Sequence, residues 1–155
     1  MVEAKLAAAR VATLFRFARQ VYIGGAAAGA LLVRALWKAF AVKLLVAWFC
    51  ALLGGMLLRL RVQASFARAG DRAGRALAWE RHFAMATLLI GAVWAFVPAA
   101  LFPEANPPLQ MVVLVVVSGV VMAGAGLYAA SPRSVHAFVL PPMAAMVAAL
   151  AMQEG

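Results

Sequence analysis

The sequence predicts an all-α fold, a polytopic membrane bundle of five transmembrane helices. Five apolar stretches fill almost the whole chain, hydrophobic residues make up 67% of it, and its mean hydropathy is +0.97. A helix crosses a bilayer with about 20 residues, and each stretch is close to that length. A water-soluble chain of this composition would lack the polar surface to cover its core. The stretches are residues 11–33, 40–58, 83–102, 109–130 and 135–152.

The first stretch differs from the others because it contains two arginines, Arg16 and Arg19. Two interpretations stay open. In the first, residues 11–33 are a retained transmembrane helix rather than a cleaved signal peptide, since more apolar chain follows the small residues. In the second, residues 1–20 lie as an amphipathic helix in the membrane interface, and a shortened segment, 21–33, forms a re-entrant hairpin or a tilted span.

The connections between the later stretches contain residues that end helices. Residues 61–81 carry most of the polar side chains and are expected to form a positively charged helix extension over the membrane surface. Residues 103–108 include three prolines and predict a tight turn outside, and residues 131–133 predict a turn inside. Pro98 and the pair at 141–142 are expected to kink the third and fifth helices.

The basic residues orient the bundle, because lysine and arginine favour the cytoplasmic side. With the amino terminus inside, eleven basic residues fall inside and three fall outside, so we predict a multi-pass protein with a cytoplasmic amino terminus. The inside residues are Lys5, Arg10, Arg16, Arg19, Arg59, Arg61, Arg68, Arg72, Arg75, Arg81 and Arg133, and the outside residues are Arg34, Lys38 and Lys43.

Residues 1–155 are expected to form one integral membrane domain, because five helices and their turns leave no room for a soluble domain. An odd number of helices places the carboxyl end outside, where no basic cluster closes the chain. We therefore expect this domain to be the amino-terminal part of a longer receptor, with a sixth helix following.

No catalytic constellation occurs in the sequence, which has no phosphate-binding loop, dinucleotide fingerprint, zinc-ligand set or paired nucleophile and base. We therefore expect this segment not to be an enzyme and to need no cofactor. The net charge of +9 does not indicate nucleic-acid binding, because the basic residues border apolar spans and lack interleaved aromatic residues. The expected partner is the lipid bilayer.

Three titratable residues near the predicted cytoplasmic ends need an interpretation. His82 and His136 are weak candidates for ligands of a haem or copper ion, whereas interfacial histidines that contact headgroups or carbonyls are the commoner case. Glu80 is expected to be a solvated interfacial charge. Beyond Lys43 and the two arginines of the first stretch, no ionisable side chain is expected near mid-membrane, which argues against an ion-coupled transporter.

Small and aromatic residues predict how the helices pack. Trp48 and Trp94 fall deeper than the other tryptophans, where they either fill the core or line a pocket for an apolar ligand. Small residues let helix backbones approach closely in lipid, which is the favoured interpretation over a ligand groove, and their faces predict a homo-oligomer. These small residues are Gly25, Gly29, Gly54, Gly55, Gly119, Ala123, Gly124 and Gly126.

About two fifths of the chain, residues 79–142, resembles the multi-helix membrane input regions of bacterial diguanylate cyclases and sensor histidine kinases. The earlier stretches match those regions in layout only. The resemblance implies an inner-membrane receptor that senses a small or lipid-like cue and passes a helix movement to a cytoplasmic output domain. The matching residues are Trp79, Glu80, Arg81, His82, Phe83, residues 91–94, Phe102, Pro103, Gln110, residues 119–126, Ala137, Phe138, Pro141 and Pro142.

Two functional hypotheses follow from these observations. The first is a sensory input module that binds a small hydrophobic ligand on a surface near the outer leaflet, formed by Trp94, Pro98, Phe102 and Gln110. The second is a structural subunit that assembles with larger membrane partners through its glycine faces.

Overall fold

The computed structural model describes residue 13 and residues 18–69 and 76–153. These residues are almost entirely helical and contain no strand, which confirms the predicted all-α class. The five helices are α1 (Ala18–Leu36), α2 (Val42–Arg68), α3 (Ala76–Ala100), α4 (Pro107–Leu127) and α5 (Pro132–Ala151).

Four helices, α2 to α5, are long and apolar enough to cross a membrane. Within the described residues the apolar part of α1 is shorter and runs over Val21–Leu36. Both interpretations of the first stretch stay open, because residues 14–17 lie outside the described part of the chain. Arg16 and most of the interfacial helix suggested for residues 1–20 lie outside the described residues.

Helix α2 extends ten residues beyond the apolar stretch that ends at residue 58, and it ends at Arg68. The segment continues as a helix because Arg, Leu, Gln and Ala all have good helix propensity. The expected helix extension is therefore confirmed as far as Arg68, its course over the membrane surface stays a prediction, and residues 70–75 lie outside the described part of the chain.

The two predicted turns are confirmed, and a side chain caps the helix after each of them. The Asn106 side chain accepts a hydrogen bond from the amide of Leu109 at the start of α4, and Ser131 does the same for Ser134 at the start of α5. A proline follows each cap at the first helical position, where its missing N–H costs nothing. Helix α3 continues through Pro98 and α5 through residues 141–142, and the kinks stay predictions.

Short turns follow α1, α3 and α4, and the helix ends gather at two levels. The turn after α1 lies beside the turn after α3, and the start of α3 lies beside the start of α5. We call the level at which α1, α3 and α5 begin the basic end, and the opposite level the far end. Helix α3 packs extensively along α5, and α2 lies against both α1 and α3. Helix α4 contacts α1, α5 and, to a smaller extent, α3.

Glycines at the helix contacts permit close packing, as predicted for Gly25, Gly29 and Gly124. A methyl group added to Gly25 would lie 2.7 Å from the Met56 side chain, and one added to Gly29 would lie 2.8 Å from Leu52. At Gly24, Gly54, Gly119 and Gly126 an added methyl group would meet no atom within 4 Å, so these positions do not serve packing within the described bundle.

Candidate functional site

Arg59 is buried inside the bundle, with only 1% of its surface exposed. The expectation that Arg59 lies at the end of an apolar span beside the lipid headgroups is wrong, because α2 continues past it and three aromatic residues from other helices surround it. Its place on the cytoplasmic side stays a prediction. Arg59 is also an ionisable side chain within the helix bundle that the sequence analysis did not expect.

The aromatic rings around Arg59 come from α1, α3 and the end of α4. The guanidinium carbon lies 4.4 Å from the Phe83 ring centre, 4.5 Å from that of Tyr128 and 5.7 Å from that of Tyr22. A cation this close to ring faces is attracted by their quadrupoles, and the attraction is stronger where water is excluded. Arg59 Nη1 also donates a hydrogen bond to the Tyr128 hydroxyl oxygen.

Three polar atoms of this cluster have no hydrogen-bond partner among the described residues. They are Nε and Nη2 of Arg59 and the hydroxyl oxygen of Tyr22, and all three are buried. Leaving a buried donor unpaired costs about 1–3 kcal/mol, and more when the group is charged. Native proteins rarely keep such groups without a reason, and a bound ligand that pairs with them is one reason.

A cavity of about 380 Å³ extends from this cluster between the helices. Its volume falls within the range of roughly 300–1,000 Å³ that is typical of ligand pockets. All five helices contribute to its wall, which is apolar apart from Arg59 and the two tyrosines. The wall is formed by Val21, Tyr22, Gly24, Gly25, Ala28, Leu31, Met56, Arg59, Ile90, Trp94, Val115, Val116, Gly119, Val120, Ala123, Gly124, Leu127, Tyr128 and Phe138.

The cavity reaches the outer surface between α1 and α4. Leu31 of α1 is 56% exposed and Val115 of α4 is 65% exposed, and both line the cavity. Gly24 and Gly119, which also line it, are exposed. For a helix bundle of this hydropathy the exposed apolar surface faces lipid, so a molecule dissolved in the bilayer can enter sideways.

Glu80 lies at the basic end and is also buried, with 9% of its surface exposed. Its Oε1 accepts a hydrogen bond of 2.7 Å from the Ser131 hydroxyl, which in turn accepts one of 3.2 Å from the Ser134 hydroxyl. The prediction of a solvated charge is wrong, because the cap of α5 lies beside the first turns of α3 and covers the carboxylate. Unlike Nε and Nη2 of Arg59, the Glu80 carboxylate has a protein partner.

The predicted ligand surface is divided in the structure. Trp94 is buried and lines the cavity, where its ring packs edge-on against Trp48 at 5.6 Å between centres. Pro98 is buried one turn further along α3. Phe102 lines a separate depression at the far end, and Gln110 donates hydrogen bonds to the carbonyl oxygens of residues 103 and 104, at 3.3 and 2.9 Å. Of the four residues, Trp94 alone lines the cavity around Arg59.

The two histidines are both exposed. Nδ1 of His82 donates a hydrogen bond of 2.7 Å to the carbonyl oxygen of Ala78, one turn earlier in α3. Within the described residues no group of three or more His, Cys, Asp or Glu side chains is arranged to hold a metal ion. The structure therefore adds no support to metal binding at these histidines.

Sequence reasoning missed Arg59, Tyr22 and Tyr128 as members of a site. One signal was available: Arg59 follows five residues after Gly54 and is flanked by Leu58 and Leu60, so its neighbours on both sides are apolar. A helix that continues through such a segment carries the arginine into contact with other helices. Neither tyrosine carried a comparable signal.

A search of protein families, of curated proteins and of solved structures finds no match to this chain.

Proposed function

We propose that this chain is a membrane-embedded sensory input module, which binds a small lipid-like molecule in the cavity beside Arg59 and relays the binding event to a cytoplasmic signalling domain. The observation that carries this proposal is the cavity wall, to which every one of the five helices contributes. An occupant of the cavity contacts all of them at once.

Such an occupant acts by shifting a population. A ligand that fits one helix arrangement better than another favours the first arrangement by its difference in binding free energy. A methyl group added to Gly24 or Gly119 would meet no atom within 4 Å. This open space leaves α1 and α4 room to move toward each other or apart. A change in the α1 to α4 separation is therefore the movement that the ligand controls.

The resemblance to bacterial input regions supports the same function. Residues that carry the resemblance include Trp94, Gly119, Gly124 and Phe138, and these four also line the cavity. In a receptor of that kind the module lies in the inner membrane with its amino terminus in the cytoplasm. Its output domain would be a diguanylate cyclase or a histidine kinase.

The proposal is tested by measuring a helix separation with and without a ligand. Cys50 is replaced by Ser, and spin labels are attached at Ile23→Cys on α1 and Met122→Cys on α4, both exposed positions outside the cavity wall. The full chain is placed in phosphatidylcholine nanodiscs, and oleic acid or oleyl alcohol is added. We expect at least one of these amphiphiles to shift the distance distribution between the labels.

Two glycine variants give the matched control. Gly119 lines the cavity and Gly126, two turns along α4, does not, although both are exposed and have open space around them. Leucine at 119 should abolish the shift, and leucine at 126 should leave it intact. An unchanged distance with both amphiphiles in the unmodified chain would contradict the sensory function.

A second function, assembly with other membrane subunits or with further copies of this chain, is favoured by the exposed glycines. Gly54 and Gly126 face away from the described bundle with no atom near them, which leaves room for another helix to approach. Multi-angle light scattering of the purified chain in detergent measures the assembly. We expect Gly54→Leu or Gly126→Leu to lower the mass if these faces associate, and equal monomeric masses would contradict assembly.

A further inference from the structure

We infer that the ligand of the cavity is a fatty-acid-like amphiphile whose ionised carboxylate binds Arg59 and whose single acyl chain fills the apolar part of the cavity. This inference rests on the proposed function for the cavity and adds the chemical class of the ligand. It is carried by the unpaired atoms of two residues that line the cavity, Arg59 and Tyr22, and by the apolar residues that form most of the wall.

The unpaired edge of the Arg59 guanidinium indicates that the headgroup of the ligand is a carboxylate. Nη1 is engaged by the Tyr128 hydroxyl, whereas Nε and Nη2 have no partner among the described residues. These two nitrogens lie on one edge of the guanidinium plane, and a carboxylate accepts two parallel hydrogen bonds from such an edge. The Tyr22 hydroxyl also has no described partner, and the Tyr22 ring centre lies 5.7 Å from the guanidinium carbon, so this hydroxyl is a third donor in the same cluster.

The charge of the headgroup follows from the absence of a counter-ion. A buried guanidinium keeps its charge, and a buried charge is stable only when it is paired. Among the described residues no carboxylate forms a salt bridge with Arg59, and the nearby buried carboxylate of Glu80 accepts a hydrogen bond from Ser131 instead. An anion from outside the protein completes the pairing, and a neutral headgroup does not.

The acyl chain follows from the rest of the wall. Val116, Val120, Leu127 and Ile90 line the cavity and offer no polar side chain. A small inorganic anion would leave this apolar volume empty. The exposed mouth at Leu31 and Val115 opens toward lipid, so one chain can lie in the cavity and reach the bilayer.

Direct binding tests the inference. Tritiated oleic acid is added to the full chain in phosphatidylcholine nanodiscs, and a scintillation proximity assay measures the bound ligand. Unlabelled oleic acid, oleyl alcohol, sodium acetate and phosphatidylglycerol then compete with it. We expect oleic acid to compete about 10- to 100-fold better than oleyl alcohol, because the alcohol lacks the charge-assisted hydrogen bonds, and we expect acetate not to compete.

Variants identify the residue that confers this selectivity. Arg59→Met should abolish the preference for the acid over the alcohol, and Arg61→Met, an exposed arginine on the same helix, should leave it unchanged. Arg59→Lys keeps the charge but loses the two-nitrogen edge, so it should bind more weakly than the unmodified chain. Tyr22→Phe keeps the ring and should weaken oleic acid binding about 2- to 10-fold. The last two variants test the inference even if Arg59→Met does not fold.

The outcomes separate this inference from the proposed function. Equal competition by oleic acid and oleyl alcohol, together with unchanged selectivity in the Arg59 variants, would overturn the carboxylate assignment and leave the sensory function standing. Stronger competition by phosphatidylglycerol than by oleic acid would also overturn it. Selective binding of oleic acid with no change in helix separation would support the inference and contradict the sensory function.

Discussion

The α3 to α5 interface and the α1 to α4 interface both contain glycine, but the first is closed and the second borders a cavity. A methyl group added to Gly91 of α3 would lie 2.9 Å from the carbonyl oxygens of Ala137 and Phe138 in α5. At Gly119 of α4 the same methyl group would meet nothing within 4 Å. Glycine therefore serves two purposes here, which are close backbone contact in one interface and open space in the other.

The buried polar groups also differ between the two interfaces: they are hydrogen-bonded to one another in the first and partly unpaired in the second. Beside α3 and α5 the Glu80 carboxylate, the Ser131 hydroxyl and the Ser134 hydroxyl form a connected set of hydrogen bonds. Beside α1 and α4, Arg59 and Tyr22 keep unpaired atoms. A satisfied network fixes one arrangement of its helices, whereas unpaired groups leave a place for a partner from outside. Four variants test this difference.

The largest effect is expected for Gly91→Leu. Its side chain would meet backbone atoms of α5, which cannot move aside as a flexible side chain can, so we expect the unfolding free energy to fall by about 3 kcal/mol or more. Thermal unfolding of the purified protein in detergent measures the change. Gly54→Leu is the control because its position is exposed and open, and equal stability of the two variants would contradict the closed interface.

Ser131→Ala should have the next largest effect. It removes the cap of α5 and the partner of the buried Glu80 carboxylate, so we expect a loss of about 1–3 kcal/mol in unfolding free energy. Asn106→Ala removes a cap at an exposed position of α4 and should lower the unfolding free energy by less than Ser131→Ala does. If denaturant unfolding shows the same loss for both, the hydrogen bond to Glu80 does not stabilise the α3 to α5 interface.

Unlike the two variants above, a variant that removes polar groups beside the cavity should not lower the stability of the protein. The double variant Arg59→Met with Tyr128→Phe removes a charge that has unpaired nitrogens and also removes the hydroxyl that pairs with it. Replacing buried charged groups with apolar ones is often neutral or stabilising by roughly 1–4 kcal/mol, so we expect ligand-free protein to unfold at an equal or higher temperature. A marked decrease would mean that Arg59 is satisfied in the folded bundle.

The smallest effect on stability is expected for Gly119→Leu. Because space is open there, the unfolding free energy should change by no more than about 0.5 kcal/mol. Calorimetry of the ligand-free variant measures it. A large loss would show that the α1 to α4 interface is as tightly closed as that of α3 and α5.

Hydropathy predicted the helices well because the cost of placing a backbone in lipid depends on local sequence. The turns at 103–108 and 131–133 were predictable for a similar reason, since proline and capping side chains act on their immediate neighbours. The burial of Arg59 was not predictable in this way. It depends on Phe83 and Tyr128, which are distant in the chain, and a charge at the end of an apolar stretch usually extends to the headgroups.

The candidate site was predicted only in part. Trp94 was expected either to fill the core or to line a pocket, and it is buried against Trp48 and also lies in the cavity wall. Phe102 and Gln110 were grouped with it by their expected depth, but depth does not determine which side of a helix faces a given neighbour. Gln110 instead hydrogen-bonds to backbone carbonyls in the turn before α4, a role that the nearby prolines make useful because they remove backbone donors.

The lateral mouth between α1 and α4 has a consequence for what the proposed module measures. A ligand that enters from the bilayer is sensed at its concentration among lipids, which for an amphiphile exceeds its aqueous concentration by a large partition factor. A weak intrinsic affinity is then enough for occupancy. In the proposed module the occupied fraction would report the mole fraction of that amphiphile in the membrane, so its signal would follow lipid composition rather than the amount of solute in the surrounding medium.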